Sequence, residues 1–512
     1  MALSISKKSI LALVAGMLLT FSFAPFSFWF ISPLCIALFF YCLANTTWQV
    51  AAKRGFLFGF GWFACGISWV HVSIAEYGGL PLVVSLLLMA ILAAYLALYS
   101  ALAAGLSTHF KGHTWLLAFI PLFMASEWMR GTFLTGFPWL SFGYSLTDSP
   151  LNFLAPVVGE FGLTVIVLLL GYSLWQLANK KWLWLASTIS SLMICALVMT
   201  TLPQNKHTGD EVHVLLVQGN IKQELRWAPE QFAKTMLAYQ DLTRPNWDVD
   251  LVVWPEAAIP EVEALAQEYL QNLDSAAAFH NTALITGIVD YQRPTKTIYN
   301  TLIVLGKKNP EDLLGQYQFL HPNRYRKHNL LPIGEFVPFE SLLRPIAPLF
   351  DLPMSSFSRG DAIQHNLKAN GLNILPAICY EIVFADFVRS NYHSNSDILL
   401  TVSNDAWFGD SHGPHQHMQI ARMRAMELGR PLIRVTNNGI TGVYDPLDHQ
   451  QQTINQFEAT VLKTSIKKIS GDTLYAQYGK GPIVLLLIVI FLVALFNNRH
   501  AFKFFKPIKT NK

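Results

Sequence analysis

Three side chains in the polar part of the chain have the types needed to pass an acyl group through a thiol. Cys379 ends the apolar run of ILPAICYEIV, while the other four of the five cysteines lie in hydrophobic runs. Acyl transfer needs a base that takes the thiol proton and a donor that stabilises the tetrahedral oxyanion. Glu256 in LVVWPE can be the base, and Lys327 in RKHNLLPIGE can hold the oxyanion and lower the pKa of the thiol. Structural carboxylates and surface lysines are common in proteins, so the residue types alone do not establish this chemistry. It also requires a fold that brings the three side chains together.

The elements that must position these residues are predicted from seven short apolar runs after residue 205, rich in β-branched residues. Such runs are typical of strands buried on both faces. They cover 212–218, 251–254, 283–288, 300–305, 372–378, 398–403 and 431–436. Amphipathic helices are predicted between them at 228–243 and 414–428. This alternation indicates an α/β domain.

Three of the predicted strands lead directly into polar or nucleophilic residues, namely Glu256, Cys379 and the pair Asn404-Asp405. Ligands bind at the carboxyl ends of strands in α/β sheets, so these side chains can converge on one site. A helix predicted in VFADFVRS, after Cys379, would favour the thiolate through its N-terminus. The sequence therefore predicts a nucleophile whose pKa is lowered.

The composition indicates a membrane protein. Hydrophobic residues make up 52% of the 512 residues and charged residues 14%, whereas soluble proteins average about 25% charged residues. A helix needs roughly 20 apolar residues to cross a bilayer, and about eight hydrophobic runs approach that length. They cover 9–25, 27–45, 55–75, 81–107, 114–129, 160–178, 182–202 and 482–497. The net charge of +4 is modest, and no basic stripe indicates nucleic-acid binding.

The predicted organisation has three parts. A multi-pass membrane domain with seven helices covers 1–204, an extracytoplasmic α/β domain covers 205–480, and a transmembrane helix with a basic tail covers 481–512. Lys and Arg cluster at alternate ends of the runs, beginning with Lys7 and Lys8, and the positive-inside rule places these ends in the cytoplasm. No clear small-x-small site follows the first run, so it is interpreted as a retained span rather than a signal peptide.

Three local segments have alternative interpretations. The loop 130–150 is rich in Gly, Pro and aromatic residues, and fits either an interfacial aromatic belt or a lipid-facing wall beside the site. The segment 403–414 contains Gly and aromatic residues and is a candidate lid. His412, His415 and His417 have a spacing that could ligate a metal. Few further ligands accompany them, so a solvated loop is favoured, with His417 lining the site.

Three motifs of the polar domain resemble the nitrilase (carbon–nitrogen hydrolase) superfamily, whose Glu–Lys–Cys triad lies in three separated segments. They are LVVWPEAAIP with Glu256, RKHNLLPIGEFVP with Lys327 and AICYEIVF with Cys379. Almost the full chain resembles the apolipoprotein N-acyltransferases of Gram-negative bacteria, a membrane-integrated family. The segments that carry this closer resemblance are GFPWLSFGYS, SSFSRG, SNDAWFG and TNNGIT.

The resemblance implies a four-layer α–β–β–α sandwich on eight helices of the cell inner membrane, with its site on the periplasmic side and both termini in the cytoplasm. It also implies two chemical steps. A phospholipid, typically phosphatidylethanolamine, gives its sn-1 acyl chain to the cysteine. The thioester then acylates the α-amino group of the S-diacylglyceryl-cysteine that begins an apolipoprotein, which completes lipoprotein maturation. No cofactor and no metal is implied.

The resemblance also implies a role for each matching residue. Glu256 would be the general base, Lys327 the stabiliser of the tetrahedral intermediate and Cys379 the nucleophile, while Glu335 would orient the lysine or relay protons. Further residues are expected to support the reaction or contact substrate. They are Tyr380, Glu381, Trp227, Trp407 and Trp139.

Two other functions fit parts of the sequence. A membrane-anchored amidase or nitrilase would share the triad and pass the acyl group to water. A transporter or sensor with an extracytoplasmic binding domain would need no chemistry, but few charged residues lie in the hydrophobic runs, which disfavours an ion pathway. Many spans favour lipid substrates, because a single span suffices as an anchor.

Overall fold

The structure is a computed structural model that describes residues 6–201, 205–225, 228–332, 334–336 and 357–498. The chain forms two compact units. The first, called the helical unit, comprises Met1–His71, Leu82–Leu202 and Tyr478–Lys512. The second, called the catalytic unit, comprises Val72–Pro81 and Pro203–Gln477.

In the part of the chain that the structure describes, the α-helices of more than three residues are numbered in chain order. They are α1 Lys7–Leu18, α2 Ile31–Leu43, α3 Trp48–Gly66, α4 Leu82–Ser107, α5 His113–Arg130, α6 Ala155–Ala178, α7 Leu183–Met199, α8 Phe232–Thr243, α9 Gln267–Phe279, α10 Ala385–Ser390, α11 His412–Leu428, α12 Leu474–Tyr478 and α13 Gly481–Asn497.

Two helices of the described residues are long and apolar enough to cross a membrane, namely α4 and the segment Asn152–Ala178 that contains α6. A third span results if Trp48–Gly66 and Val70–Glu76, which meet at a 61° bend, are counted as one. For the described residues, the prediction of about eight spans is therefore corrected to two or three helices of sufficient length and apolar composition. The hydrophobic runs overstated the number because several of them contain a break. The first run, for example, yields only the 12 residues of α1 before a 3₁₀ turn at Leu19–Ser22. Such a helix is about 18 Å long, shorter than the roughly 30 Å hydrocarbon core.

The catalytic unit contains twelve strands among the described residues. They are β1 Lys206–Gln218, β2 Leu251–Val253, β3 Ala283–Gln292, β4 Thr297–Gly306, β5 Arg324–Arg326, β6 Leu367–Ala369, β7 Leu372–Ile378, β8 Ile398–Ser403, β9 Leu432–Thr436, β10 Gly442–Asp445, β11 Gln450–Thr453 and β12 Thr460–Ser470.

The strands form two six-stranded sheets, in the orders β12-β1-β2-β3-β4-β5 and β11-β10-β9-β8-β7-β6. The centre of each sheet is parallel, through β1-β2-β3 in the first and β7-β8-β9 in the second. The parallel registers set Val253 opposite Ile285 and Ile378 opposite Val402. The strands that carry the site therefore end together at one edge of each sheet.

Alternating side chains of β1 show how the sheets stack. Val214 and Leu216 enter a core shared with the second sheet, while Leu215 and Val217 enter a separate core with residues of α8 and α9. Successive side chains of a strand point to opposite faces, so one strand serves both cores. With α10 and α11 at the second sheet, the arrangement has four layers, α–β–β–α. The structure confirms the predicted sandwich.

Candidate active site

Glu256 is placed by a tight turn at the carboxyl end of β2. The next residue, Ala257, has a φ of +45°, and a side chain on Gly287 of β3 would lie 2.2 Å from the Ala257 backbone nitrogen. The turn can therefore close only because position 287 has no Cβ. The Glu256 carboxylate accepts hydrogen bonds from Asn300 Nδ2 (2.7 Å, at Oε1) and from the Asn404 backbone N–H (2.9 Å, at Oε2).

Lys327 directly follows β5, and its backbone N–H donates to the Asn300 carbonyl at 2.8 Å. Its side chain is 1% exposed, and its ammonium donates to Glu256 Oε1 at 3.3 Å and to Glu335 Oε1 at 2.9 Å. Burial lowers the pKa of Lys327, but Glu256, Glu335 and Cys379 together raise it above its ordinary value. The lysine is therefore charged, and it lies between two carboxylates.

Asn300 joins the two carboxylates of the site. Its Nδ2 donates to Glu256 Oε1 at 2.7 Å and to Glu335 Oε1 at 3.1 Å. Glu335 Oε2 also accepts the Leu331 backbone N–H at 2.8 Å. Asn300 was not predicted from the sequence, although an amide at the start of the largely apolar run NTLIVL was the available signal.

Cys379 directly follows β7, opens the 3₁₀ turn Cys379–Val383 and has a φ of +53°. Burial, with a further contribution from Glu256, raises the pKa of its thiol to about 12, against the opposing effects of Lys327 and a hydrogen bond with Ser403. The prediction of a lowered pKa is therefore wrong. The predicted helix begins only at Ala385, six residues after the thiol. The thiol is therefore protonated at neutral pH, so attack requires a base that removes the proton.

Glu381 is fully buried and connects the turn of Cys379 to the segment of Lys327. Its Oε1 accepts the backbone N–H groups of His328 and Asn329 at 2.7 and 3.1 Å. Its Oε2 accepts the Tyr325 hydroxyl and the Ile378 N–H, both at 2.8 Å. Burial raises the pKa of Glu381 to about 7, although these N–H groups and Lys327 oppose the shift. Glu381 thus links the segment that carries Lys327 to the turn that carries Cys379.

The predicted aromatic residues have different surroundings. Tyr380 is buried and packs edge-on against Phe384, with ring centroids 5.1 Å apart. The carbonyl of Trp407 accepts a 2.6 Å hydrogen bond from the Ser73 hydroxyl. Trp139 is buried in the helical unit, and its carbonyl accepts a hydrogen bond from Arg130. Trp227 lies outside the described residues.

The segment 403–414 is only partly available as a lid. Ser403, Asn404 and Asp405 are 3% exposed or less and hydrogen-bonded within the catalytic unit, and α11 already begins at His412. The residues between Asp405 and His412 stay a candidate cover, although Ala406 is also buried and the Trp407 carbonyl is hydrogen-bonded to Ser73. The first part of the segment is fixed because it ends β8 and directly contacts the site.

The three histidines singled out in the sequence do not form a metal cluster in the described part of the chain. There, the one group of His, Cys, Asp and Glu residues close enough to share an ion is His207, Asp445 and Asp448. His417 is instead buried beside Asp405 and Arg434.

Comparison with known proteins gives a family match for each of the two main parts of the chain. The family model described as apolipoprotein N-acyltransferase N-terminal domain matches residues 15–173, and the carbon-nitrogen hydrolase model matches residues 214–467. A solved structure of XC1258 from Xanthomonas campestris, described as a CN-hydrolase superfamily protein, is 20% identical with a TM-score of 0.36, covering 54% of this chain and 97% of that chain.

Relatives named apolipoprotein N-acyltransferase match nearly the whole chain. The protein from Shewanella oneidensis is 46% identical, with 94% of this chain and 94% of that protein covered. The protein from Photobacterium profundum is 45% identical, with 93% and 92% covered. The protein from Haemophilus influenzae is 39% identical, with 94% of each covered. The chain belongs to the apolipoprotein N-acyltransferase family.

Proposed function

We propose that this protein is a phospholipid:apolipoprotein N-acyltransferase in which Cys379 carries the acyl group. The observation that carries the proposal is the convergence of Glu256, Lys327 and Cys379. The Lys327 ammonium donates to Glu256 and Glu335, and the charges of Glu256 and Lys327 both act on the thiol. A thiol, a carboxylate base and a buried cation are the groups that acyl transfer through a thioester requires.

In the first step, Glu256 takes the proton of the Cys379 thiol as the sulfur attacks the ester carbonyl of a phospholipid. Lys327 stabilises the negative charge on the carbonyl oxygen. The new C–S bond forms, the ester C–O bond breaks, and the proton held by Glu256 passes to the departing lysophospholipid oxygen. The raised pKa of the thiol explains why a base is needed at the moment of attack.

In the second step, the α-amino group of the diacylglyceryl-cysteine attacks the thioester carbonyl. Glu256 takes a proton from the amine, the C–N bond forms and the C–S bond breaks. That proton returns to sulfur, which restores the thiol of Cys379. Glu335 keeps Lys327 charged and oriented through both steps, since it accepts a 2.9 Å hydrogen bond from the ammonium.

We propose phosphatidylethanolamine as the donor, with transfer from its sn-1 position, in the inner membrane. The distribution of Lys and Arg along the sequence supports cytoplasmic termini and a periplasmic catalytic domain. The proposed domain boundaries are 1–204, 205–480 and 481–512. Both substrates are lipids, and keeping their chains in the bilayer avoids roughly 0.8 kcal/mol for each methylene exposed to water.

The proposal is tested by the mass of the intact protein after incubation with phosphatidylethanolamine. One acyl chain should be added and should be removable by hydroxylamine. Cys379→Ala should show no addition, and Lys327→Ala should bind lipid yet form at least about 100-fold less adduct, because the oxyanion loses its cation. An adduct of normal yield in Cys379→Ala would contradict the mechanism.

A further inference from the structure

The backbone carbonyl of the nucleophile is held by a buried histidine to which the chemistry above gives no role. His417 of α11 places its imidazole Nε2 3.1 Å from the carbonyl oxygen of Cys379. His417, Asp405 and Arg434 are each 1% exposed or less. We propose that His417 is a positioning residue: as the neutral Nε2–H tautomer, it donates to the Cys379 carbonyl and fixes the backbone of the nucleophile.

The contacts of the other ring nitrogen determine the tautomer. Arg434 Nη2 lies 3.0 Å from His417 Nδ1 and 2.7 Å from Asp405 Oδ2. A guanidinium N–H can only donate, so Nδ1 is the acceptor and the ring proton lies on Nε2. Asp405 Oδ1 is 3.3 Å from Nδ1 and accepts a shorter, 2.6 Å bond from the Ser403 hydroxyl. Burial and the charge of Arg434 lower the pKa of His417, which agrees with a neutral ring.

The nucleophile needs such a contact because of its backbone conformation. Cys379 has a φ of +53°, a region that side-chain-bearing residues adopt only when their surroundings hold them there. Before the turn, Glu381 binds the Ile378 N–H. After the Cα of Cys379, His417 binds the carbonyl oxygen. The two contacts together set the direction in which the thiol points, and hence its distance from the attacked carbonyl.

Glutamine and asparagine provide a matched test. The amide nitrogen of Gln reaches about as far as imidazole Nε2, whereas that of Asn reaches only about as far as Nδ1. His417→Gln should therefore retain the rate of thioester formation within about threefold. His417→Asn should lose on the order of 30- to 100-fold in kcat with KM little changed, the loss expected when a reacting group is displaced by about 1 Å.

The control pair is His415→Gln and His415→Asn. His415 lies on the same helix and contacts Gln456, 3.3 Å away. Both control variants should react like the wild-type protein. The melting temperatures of the two His417 variants should be alike, so that a difference in rate reports position rather than stability.

The test separates this proposal from the proposed function on which it rests. If wild-type protein forms no thioester, the proposed function fails. The rate of Cys379 alkylation by iodoacetamide, read by peptide mass mapping, needs no lipid and still compares the two His417 variants. Equal alkylation and equal acylation in His417→Gln and His417→Asn would overturn the positioning role, whatever the wild-type protein does with phospholipid.

Discussion

Replacing Glu381 with glutamine should separate the segment of Lys327 from the turn of Cys379. Each carboxylate oxygen accepts two hydrogen bonds, from His328 and Asn329 N–H groups at Oε1 and from the Tyr325 hydroxyl and Ile378 N–H at Oε2. Glutamine keeps one acceptor oxygen, while its NH₂ group is itself a donor and faces two donors. The exchange therefore removes two hydrogen bonds in a fully buried position.

The size of the effect follows from these contacts. A buried donor left without an acceptor costs about 1 to 3 kcal/mol, and glutamine leaves two such donors, so Glu381→Gln should cost on the order of 2 to 6 kcal/mol at pH 7.5. For a domain of this size, the melting temperature should fall by on the order of 10 °C. Thioester formation should fall about 100-fold even below the melting transition, because Lys327 and Cys379 lose their common support.

The assay combines thermal melting of the detergent-solubilised protein with the yield of acyl adduct by intact mass. Glu268→Gln is the matched control, because Glu268 lies exposed on α9 of the same unit. It should melt and react like the wild-type protein. A Glu381→Gln variant that melted and acylated like the wild type would refute the role of Glu381 as a support.

Two further predictions concern the carboxylates of the site. Asn300→Leu should lower thioester formation at least about 10-fold while leaving lipid binding intact, because Glu256 and Glu335 lose one of the two groups that donate to both, the other being Lys327; unchanged acylation would contradict this. The pKa of Glu381, about 7 when folded and 4.5 ordinarily, means that folding binds a proton in this range. Its contribution to stability is complete below pH 4.5 and should decline by about 3 kcal/mol as the pH rises through 7. The difference in melting temperature between wild type and Glu381→Gln should therefore be larger at pH 5 than at pH 7.5. A difference that grew with pH would contradict a raised pKa of Glu381 in the folded protein.

The sequence predicted the elements of the sandwich that depend on local pattern. The apolar runs LNILPAI and ILLTVS match the observed bounds of β7 and β8. They were predictable because strands buried on both faces form nearly uninterrupted runs of apolar residues. The edge strands β5 and β6 were not predicted, since three residues carry too little periodicity. Three further strands were also not predicted, namely the four-residue β10 and the strands β11 and β12, which are largely exposed or half-buried and therefore lack a continuous apolar run. The span count was too high, because hydrophobicity alone does not reveal where a run breaks.

The candidate site was predicted in its charged members but not in its environment. The structure brings Glu256 and Glu335 within ion-pair distance of Lys327, while the catalytic roles of the three stay predictions. The pKa of Cys379 was predicted in the wrong direction, because burial among the core residues outweighs the nearby ammonium and the α-helix begins only at Ala385. Asn300 was missed because its role arises only when two segments meet in space.

The fate of the acyl group tests the central claim most directly. Protein carrying the acyl group on Cys379 is isolated, then incubated with a peptide that begins with S-diacylglyceryl-cysteine, with the same peptide acetylated at its α-amine, or with buffer alone. We expect the acyl chain on the free α-amine of the first peptide, and a stable thioester in the other two samples. Release of free fatty acid at equal rates in all three would contradict the claim and identify a hydrolase.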